Sequence, residues 1–328
     1  MIYIIVPVFN TAKYLSRCLD SIFNQKYQNF HLVIVNDGST DNSLEIIKTY
    51  KKLHKNVSII DKNNSGPSDA RNCGLNFIFT NFKINNNDYI TFIDSDDWID
   101  NNYLSSLIKL TNNKNIDIII SSFYLSHSKQ DKKIVLSNKE YLLNSEEATC
   151  KLLEDRSIQS HSPEKLYRAT LWFDIRYPTN IVSMEDQATI YKVFKKASTI
   201  MISTYIGYHY WQSSNSICRS EINNKKVLDS LNGYYEPLKD VTLTASEYKS
   251  AIQGFSNVYL MMFPRFSNSK ASQDEKLLFK QFTKYVYTQK IINQFIPKNR
   301  SEKIKKITYL YFYPLYKTLF RIYSKINH

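Results

Sequence analysis

The 328-residue sequence predicts an α/β fold in which helices flank a mainly parallel sheet and a helical appendage follows. Three short apolar runs, at residues 2–6, 31–35 and 89–93, have the length and composition of buried strands. Apolar residues at helical spacing follow the first two runs. Because strands that alternate with helices form parallel sheets, these observations together define the fold class.

The first strand is expected to end at Pro7, and the helix after it has an apolar stripe that includes Leu15, Leu19 and Ile22. The second strand leads into the polar segment 36–41, which supplies cap residues for a second helix. Ligands of such sheets bind at the carboxyl ends of the strands. Asn10, Asp37 and the acids at 94–97 are therefore expected in one crevice.

The tetrad Asp94-Ser95-Asp96-Asp97 directly follows the third strand. Three carboxylates in one turn repel one another, and a hard divalent cation with oxygen ligands would stabilise them. The same residue types are also typical of ordinary turns and helix caps. From the tetrad alone, both a metal site and a structural turn remain open.

Four motifs follow one another over about the first 110 residues. They are Pro7-Val8-Phe9-Asn10, Asn36-Asp37-Gly38-Ser39-Thr40-Asp41, the segment 64–74 that begins Asn64-Ser65-Gly66-Pro67, and Asp94-Ser95-Asp96-Asp97-Trp98. In this order they closely resemble the bacterial family 2 glycosyltransferases of the Rossmann-like GT-A fold. The resemblance resumes at residues 165–168, 175–178, 185–188 and 215–217. It implies an inverting enzyme that uses a UDP-sugar.

The resemblance also implies roles for individual residues. Asp37 would read the uracil imide, Asp94 would contact the ribose, and Asp96 would bind Mn²⁺ or Mg²⁺. The expected nucleotide-sugar contacts are Pro7, Val8, Asn10, Asp37, Asn64, Gly66, Arg71, Asp94 and Ser95. A divalent cation at Asp96 would stabilise the charge of the diphosphate leaving group.

By the same resemblance, Asp186 is the catalytic base and Glu185 stands beside it. A sugar hydroxyl is a poor nucleophile at neutral pH, so a carboxylate must take its proton as it attacks the anomeric carbon. A single in-line displacement inverts the anomeric configuration. The alternative is that these acids form the exposed first turn of a helix at 187–194.

One departure from the family concerns Trp211, which stands near the place where many relatives carry an arginine that could neutralise the diphosphate. His209 could coordinate the metal or contact the diphosphate instead. A lone histidine in a tyrosine-rich stretch is also typical of a structural side chain.

Other motifs exclude alternative chemistries. No G-x-G-x-x-G follows a strand and no Walker loop is present, which disfavours dinucleotide and P-loop chemistry. The four cysteines are too scattered for a compact zinc site and suggest reduced thiols. No signal peptide precedes the first strand, and no apolar stretch approaches the roughly 18 residues that a membrane span needs. A cytoplasmic protein is expected.

The expected organisation is a catalytic domain at 1–219, with its nucleotide-sugar half at 1–110 and its acceptor half at 111–219. A helical appendage at 220–296 and a basic amphipathic segment at 297–328 follow. This last segment has eight Lys or Arg residues and one acid, Glu302, within a chain of net charge +13. Its apolar residues recur at helical spacing and include Ile304, Ile307, Tyr311, Leu315, Leu319, Ile322 and Ile326.

A basic amphipathic helix of this kind is typical of proteins that lie on anionic membrane surfaces, here the inner face of the cell membrane. It could instead pack on the catalytic domain or on a second subunit of a homo-oligomer.

The expected function is transfer of a hexose or N-acetylhexosamine from a UDP-sugar to a lipid-linked or oligosaccharide acceptor of a capsule, O-antigen or lipooligosaccharide. Two alternatives belong to other classes. The chain could be a degenerate transferase that serves as a scaffold. A nucleic-acid-binding protein is disfavoured, because the basic residues are concentrated at one end and no recognition module accompanies them.

Overall fold

The computed structural model describes residues 1–111, 115–127, 131–154, 157–181, 183–212, 222–267 and 270–311. The predicted segments 215–217 and 312–328 lie outside these residues, as do the expected boundary at 219/220 and Cys218.

The first half of the chain alternates strands and helices as predicted. Its elements are β1 (Ile2–Val8), α1 (Ala12–Phe23), β2 (Phe30–Asp37), α2 (Ser43–Leu53), β3 (Val57–Lys62), α3 (Pro67–Asn81), β4 (Tyr89–Phe92), β5 (Trp98–Ile99) and α4 (Tyr103–Leu110). On α1 the predicted stripe of Leu15, Leu19 and Ile22 is buried. The apolar spacing therefore identified the face that α1 packs on the sheet.

The second half supplies the remaining strands and two more helices. They are β6 (Ile118–Ser126), β7 (Asp131–Ile134), β8 (Tyr141–Leu143), α5 (Ser145–Leu153), β9 (Lys165–Arg168), α6 (Ile190–Lys196) and β10 (Ile200–Trp211). Strand β7 is mostly polar and pairs antiparallel with β6. Polar side chains are compatible with such an edge strand.

One mixed sheet has the strand order β3-β2-β1-β4-β9-β6-β10-β5, with β7 added on β6 and β8 on β10. Strands β3, β2, β1 and β4 are parallel, and β9 runs antiparallel to both of its neighbours. This arrangement confirms the predicted α/β class. It also brings the carboxyl ends of β1, β2 and β4 to one edge of the sheet.

Among the described residues, five α-helices follow the sheet: α7 (Asn224–Tyr235), α8 (Ala245–Met262), α9 (Gln273–Thr288), α10 (Ile291–Gln294) and α11 (Arg300–Tyr311). Helix α8 packs so closely on α5 that a Cβ at Gly254 would lie 2.1 Å from the carbonyl oxygen of Leu153. One apolar cluster contains side chains of both the sheet and these helices. The predicted helical region therefore packs directly on the catalytic half. In the part of the chain that the structure describes, no helix is long and apolar enough to span a membrane.

Candidate active site

The loops after β1 and β2 are joined by hydrogen bonds at the edge of the sheet. Asn10 has a φ of +52° and accepts a hydrogen bond from the amide of Thr40 at 2.7 Å, and its own amide donates to Ser39 Oγ at 3.1 Å. Pro7 and Val8 are the last residues of β1 and lie beside β2. Asn10 therefore joins the loop after β1, which follows the predicted base pocket at Pro7 and Val8, to the loop after β2.

Asp37 is buried in a cradle formed by the loop after β3. Its carboxylate accepts the amide protons of Ser65 at 3.0 Å and Gly66 at 2.8 Å, and its carbonyl oxygen accepts the side-chain amide of Asn64 at 3.0 Å. Lys62 pairs with the same carboxylate. Three residues predicted from two separate motifs, Asp37, Asn64 and Gly66, therefore meet.

Arg71 joins the two halves of the predicted site. It projects from α3 and is buried, with one guanidinium nitrogen 2.8 Å from Glu185 Oε1 and another 3.1 Å from Asp94 Oδ1. Burial alone would lower the pKa of Arg71, but the carboxylates of Asp186, Asp94 and Glu185 raise it well above its ordinary value. A permanent positive charge therefore lies between the nucleotide motif and the candidate base.

The three acids of the tetrad occupy different environments. Asp94 pairs with Arg71, whereas Asp97 is fully buried and accepts the hydroxyl of Tyr208 at 2.5 Å and the amide of Trp211 at 2.7 Å. The Ser95 hydroxyl accepts a hydrogen bond from Thr11 Oγ1 at 2.9 Å. Asp97 and Ser95 thus hold the turn in place. The structural interpretation of the tetrad therefore applies to these two residues, and the functional interpretation concerns Asp94 and Asp96.

Asp96 is the acid of the tetrad that remains available for a ligand, because among the described residues no other side chain donates a hydrogen bond to its carboxylate. Burial and the charge of Asp94 raise its pKa to about 6. The described residues contain no group of three or more His, Cys, Asp or Glu side chains that could hold a metal ion by itself. Mg²⁺ commonly binds one or two carboxylates together with substrate phosphates, and Asp96 fits that kind of site.

His209 does not have the environment expected of a metal ligand. Its Nε2 lies 3.0 Å from Asp100 Oδ1 and its Nδ1 lies 3.2 Å from Ser126 Oγ. The ring is stacked between Trp98 and Tyr124, with centroid distances of 4.7 and 4.6 Å. Because both ring nitrogens already have protein partners, the geometry favours the alternative in which His209 is structural.

A cation that the sequence motifs did not indicate, Arg17 of α1, lies beside the tetrad. Its guanidinium carbon is 3.8 Å from the ring centroid of Trp98 and 4.8 Å from that of Trp211, and it donates to the carbonyl oxygen of Asp96 at 2.7 Å. Trp211, which stands near the place where the resemblance led us to expect an arginine, therefore packs against an arginine from another element. No local pattern marks Arg17, because its neighbours come from β5 and β10.

Asp186 and Glu185 lie in the turn before α6, which begins at Ile190. Glu185 is only 9% exposed, and burial together with the charge of Asp186 raises its pKa, against the effect of Arg71. The alternative in which these acids form an exposed first turn of a helix is therefore wrong for Glu185. Its carboxylate instead contacts Arg71.

Ser162, which the sequence did not single out, holds the Asp186 carboxylate. Its amide lies 3.1 Å from Asp186 Oδ2 and its hydroxyl donates to Oδ1. Tyr177 contacts the same hydroxyl, with an O–O distance of 2.6 Å. Because the Ser162 proton is directed to Asp186, Tyr177 is the donor in this second hydrogen bond. The chain from Tyr177 through Ser162 restricts the orientation of the Asp186 side chain.

Replacing Ser162 by alanine is expected to reduce kcat about ten- to a hundredfold, because the carboxylate loses one of the two groups that orient it. KM for the donor should stay unchanged, because the nucleotide contacts lie elsewhere. Steady-state kinetics with varied donor would measure both. Ser122→Ala removes a fully buried hydroxyl, which accepts a hydrogen bond from the Leu136 amide, and serves as the control. An equal loss of kcat in both variants would contradict the positioning role.

Helix α7 of the helical region packs against the turn that carries Glu185 and Asp186. A Cβ at Gly233 of α7 would lie 2.6 Å from Met184 Cβ and 2.7 Å from the Met184 carbonyl oxygen. Met184 precedes Glu185 and has a φ of +72°. The absence of a side chain at Gly233 therefore lets α7 contact the backbone that carries both candidate acids.

A comparison with protein families identifies the family of this chain. Residues 3–169, just over half of the chain, match the model described as glycosyl transferase family 2. The chain belongs to the family 2 glycosyltransferases. As a glycosyltransferase it has the predicted GT-A fold, and the resemblance seen in the motifs is confirmed.

Relatives of this glycosyltransferase include bacterial enzymes that act on surface glycans. It is 44% identical over 123 residues to glycosyltransferase GlyA of Streptococcus pneumoniae, covering 38% of this chain and 17% of that protein. It is 30% identical over 212 residues to the poly(ribitol-phosphate) β-N-acetylglucosaminyltransferase TarS of Staphylococcus aureus, covering 63% of this chain and 35% of TarS. The alignments thus span about a third or less of these two relatives.

A solved structure shares the fold over nearly the whole chain. The crystal structure of S. aureus TarS residues 1–349 in complex with UDP-GlcNAc superposes with a TM-score of 0.71 at 19% identity. The match covers 99% of this chain and 91% of that one. The similarity therefore includes the helices after the sheet.

Proposed function

We propose that this glycosyltransferase moves a hexose or N-acetylhexosamine from a UDP-sugar to a hydroxyl group of a bacterial surface polymer, with inversion. The observation that carries the proposal is the position of Arg71, which contacts Asp94 of the nucleotide motif and Glu185 beside the candidate base. A donor bound at the nucleotide motif would place its anomeric carbon near Glu185 and the candidate base. The UDP-GlcNAc complex of TarS and the polymer named as the TarS substrate support the choice of donor and acceptor classes.

The donor would bind at the edge formed by β1, β2 and β4. Asp37 is held by the 64–66 loop and would accept the imide N–H of uracil, while Pro7 and Val8 line the base pocket. Asp94 would contact the ribose. Arg71 contacts Asp94 and Arg17 contacts the Asp96 carbonyl oxygen, and both cations would offset negative charge of the diphosphate.

Asp186 would accept the proton of the attacking hydroxyl. Its carboxylate is held by Ser162, so the oxygen that receives the proton has a defined position. Arg71 neutralises part of the charge that Glu185 adds beside it. The attack displaces UDP in one step and inverts the anomeric configuration.

A divalent cation, Mn²⁺ or Mg²⁺, would be held by Asp96 together with the diphosphate and would supply Lewis-acid stabilisation of the leaving group. Asp96 suits this role because its carboxylate has no other side-chain donor among the described residues and lies close to Asp94.

A UDP-release assay with Mn²⁺ tests the proposal across a panel of UDP-sugars, with and without a chelator. Chelator-sensitive release from one donor is expected, and it would also identify the sugar. Release from no donor in the presence of poly(ribitol-phosphate) or lipid-linked acceptors, despite measurable UDP binding, would contradict the proposal and favour a scaffold.

A further inference from the structure

Helix α11 faces the protein with its polar side. Of its residues Arg300–Tyr311, only Glu302 is buried. Four apolar side chains are exposed to solvent instead: Ile304 at 55%, Ile307 at 41%, Leu310 at 39% and Tyr311 at 75%. Their spacing of three, three and one residues places them on one side of the helix. This orientation is the reverse of the usual one for a surface helix.

Polar contacts fix that orientation. The Glu302 carboxylate accepts the Lys298 amide at 2.8 Å and the Asn299 side-chain amide at 3.1 Å. Lys306 Nζ donates to the carbonyl oxygens of Asn293 at 3.0 Å and Phe295 at 2.5 Å. Each of these bonds would be lost if the helix turned its apolar side inward.

An aromatic contact holds the same side of α11 on α8. Tyr309 packs edge-on against Tyr259 and Phe263, with ring centroids 5.8 and 5.7 Å apart. The helix is therefore docked through Glu302, Lys306 and Tyr309. The outward position of Ile304 and Ile307 follows from these contacts.

The outward side of α11 carries positive charge along with its apolar stripe. Arg300 and Lys303 are exposed and lie on the same arc as Ile307. Glu302, the one acid in residues 297–328, is the residue turned inward. The outward side of α11 therefore combines aliphatic, aromatic and cationic side chains without a carboxylate of its own.

Charge decides what covers this surface. In a symmetric pair of chains the same face meets itself, which would bring Arg300 and Lys303 of both copies together. The residues after Tyr311 add three more cations, Lys317, Arg321 and Lys325, and no acid, so the sequence there offers no opposite charge to Arg300 and Lys303. An anionic lipid surface offers both phosphate groups for the cations and an apolar layer for the isoleucines.

We propose that the outward side of α11, formed by Arg300, Lys303, Ile304, Ile307, Leu310 and Tyr311, docks on an anionic lipid surface. In the cell this would be the inner face of the membrane, where a cytoplasmic enzyme meets lipid-linked acceptors. The docking itself requires only the surface of α11 and is independent of the proposed reaction.

The test is co-sedimentation of the full chain with phosphatidylcholine vesicles, with and without phosphatidylglycerol. Wild type should bind only the anionic vesicles, and Ile304→Ser/Ile307→Ser should weaken that binding about tenfold or more. Lys303→Glu should weaken it as well and make the remainder less sensitive to salt. Leu53→Ser/Val241→Ser removes two aliphatic side chains that are 71% and 97% exposed on other elements, and it should bind like wild type.

Thermal melting and UDP release of each variant should match wild type, which separates surface effects from unfolding. Equal binding to both vesicle types, or an unchanged affinity in the Ile304/Ile307 double variant, would overturn the proposal. Size-exclusion chromatography gives a further decisive outcome. If wild type is a dimer that the double variant dissociates, and neither binds vesicles, the face is an interface between copies and the lipid proposal is wrong.

Discussion

Asp186→Asn is expected to reduce sugar transfer about a thousandfold while UDP affinity stays nearly unchanged. Positioned general bases contribute about 10²- to 10⁴-fold, and an amide cannot accept the hydroxyl proton. The amide oxygen can still accept the Ser162 amide proton, and the amide NH₂ can donate to the Ser162 hydroxyl oxygen in place of the second bond, so the turn should keep its geometry. Initial rates with saturating acceptor would measure transfer, and calorimetry with UDP would measure binding.

Asp174→Asn is the matched control, because Asp174 lies on the surface and pairs with Lys196. Its transfer rate should equal that of wild type. Full transfer by Asp186→Asn would contradict the assignment of the base. Loss of UDP affinity equal to the loss of rate would mean that Asp186 holds the donor instead.

The fold and much of the site were predictable because local patterns specified both. Apolar runs predict β1, β2 and β4, and helical spacing predicts α1 and α2, whereas β3 and α3 are found only in the structure. Parallel order brings the carboxyl ends of the predicted strands together. Asp37, Asn64 and Gly66 then meet without further information. Arg71 reaches both Asp94 and Glu185 because α3 begins at that same edge of the sheet.

The role of each acid in the tetrad could not be read from its own motif. Asp97 differs from Asp96 only through Tyr208 and Trp211, which lie more than 110 positions later and reach the turn through β10. Motif order makes His209 a candidate metal ligand, whereas in the structure its two ring nitrogens contact Ser126 and Asp100. Long-range partners of this kind leave no pattern in a single sequence.

The same limit applies to α11. Periodicity identified a stripe of isoleucines and a set of cations, but not which of them faces the protein. That choice depends on acceptors such as the Phe295 carbonyl and on the aromatic rings of α8. Satisfying buried polar groups took precedence over burying the stripe.

Although Asp96 and Asp97 are adjacent, Asp96→Ala is expected to lose activity and Asp97→Ala is expected to lose stability. Asp96→Ala should lose transfer at least about a hundredfold and abolish the effect of Mn²⁺ on UDP binding, with an unchanged melting temperature. Asp97→Ala should lower the melting temperature, because the buried Tyr208 hydroxyl and Trp211 amide lose their acceptor. Each unsatisfied donor costs about 1–3 kcal/mol of unfolding free energy.

Calorimetric UDP titrations with and without Mn²⁺, together with thermal melts, separate the two effects. Two unsatisfied donors together cost about 2–6 kcal/mol of a total stability of about 5–15 kcal/mol. Asp97→Ala should therefore melt earlier, yet be folded well below its own midpoint and still respond to Mn²⁺. If UDP binding by Asp96→Ala still responds to Mn²⁺, the assignment of Asp96 as the metal ligand is wrong. Since Asp94 is bound to Arg71 and Asp97 to β10, no other carboxylate of the tetrad could then take its place without breaking a contact that the fold uses.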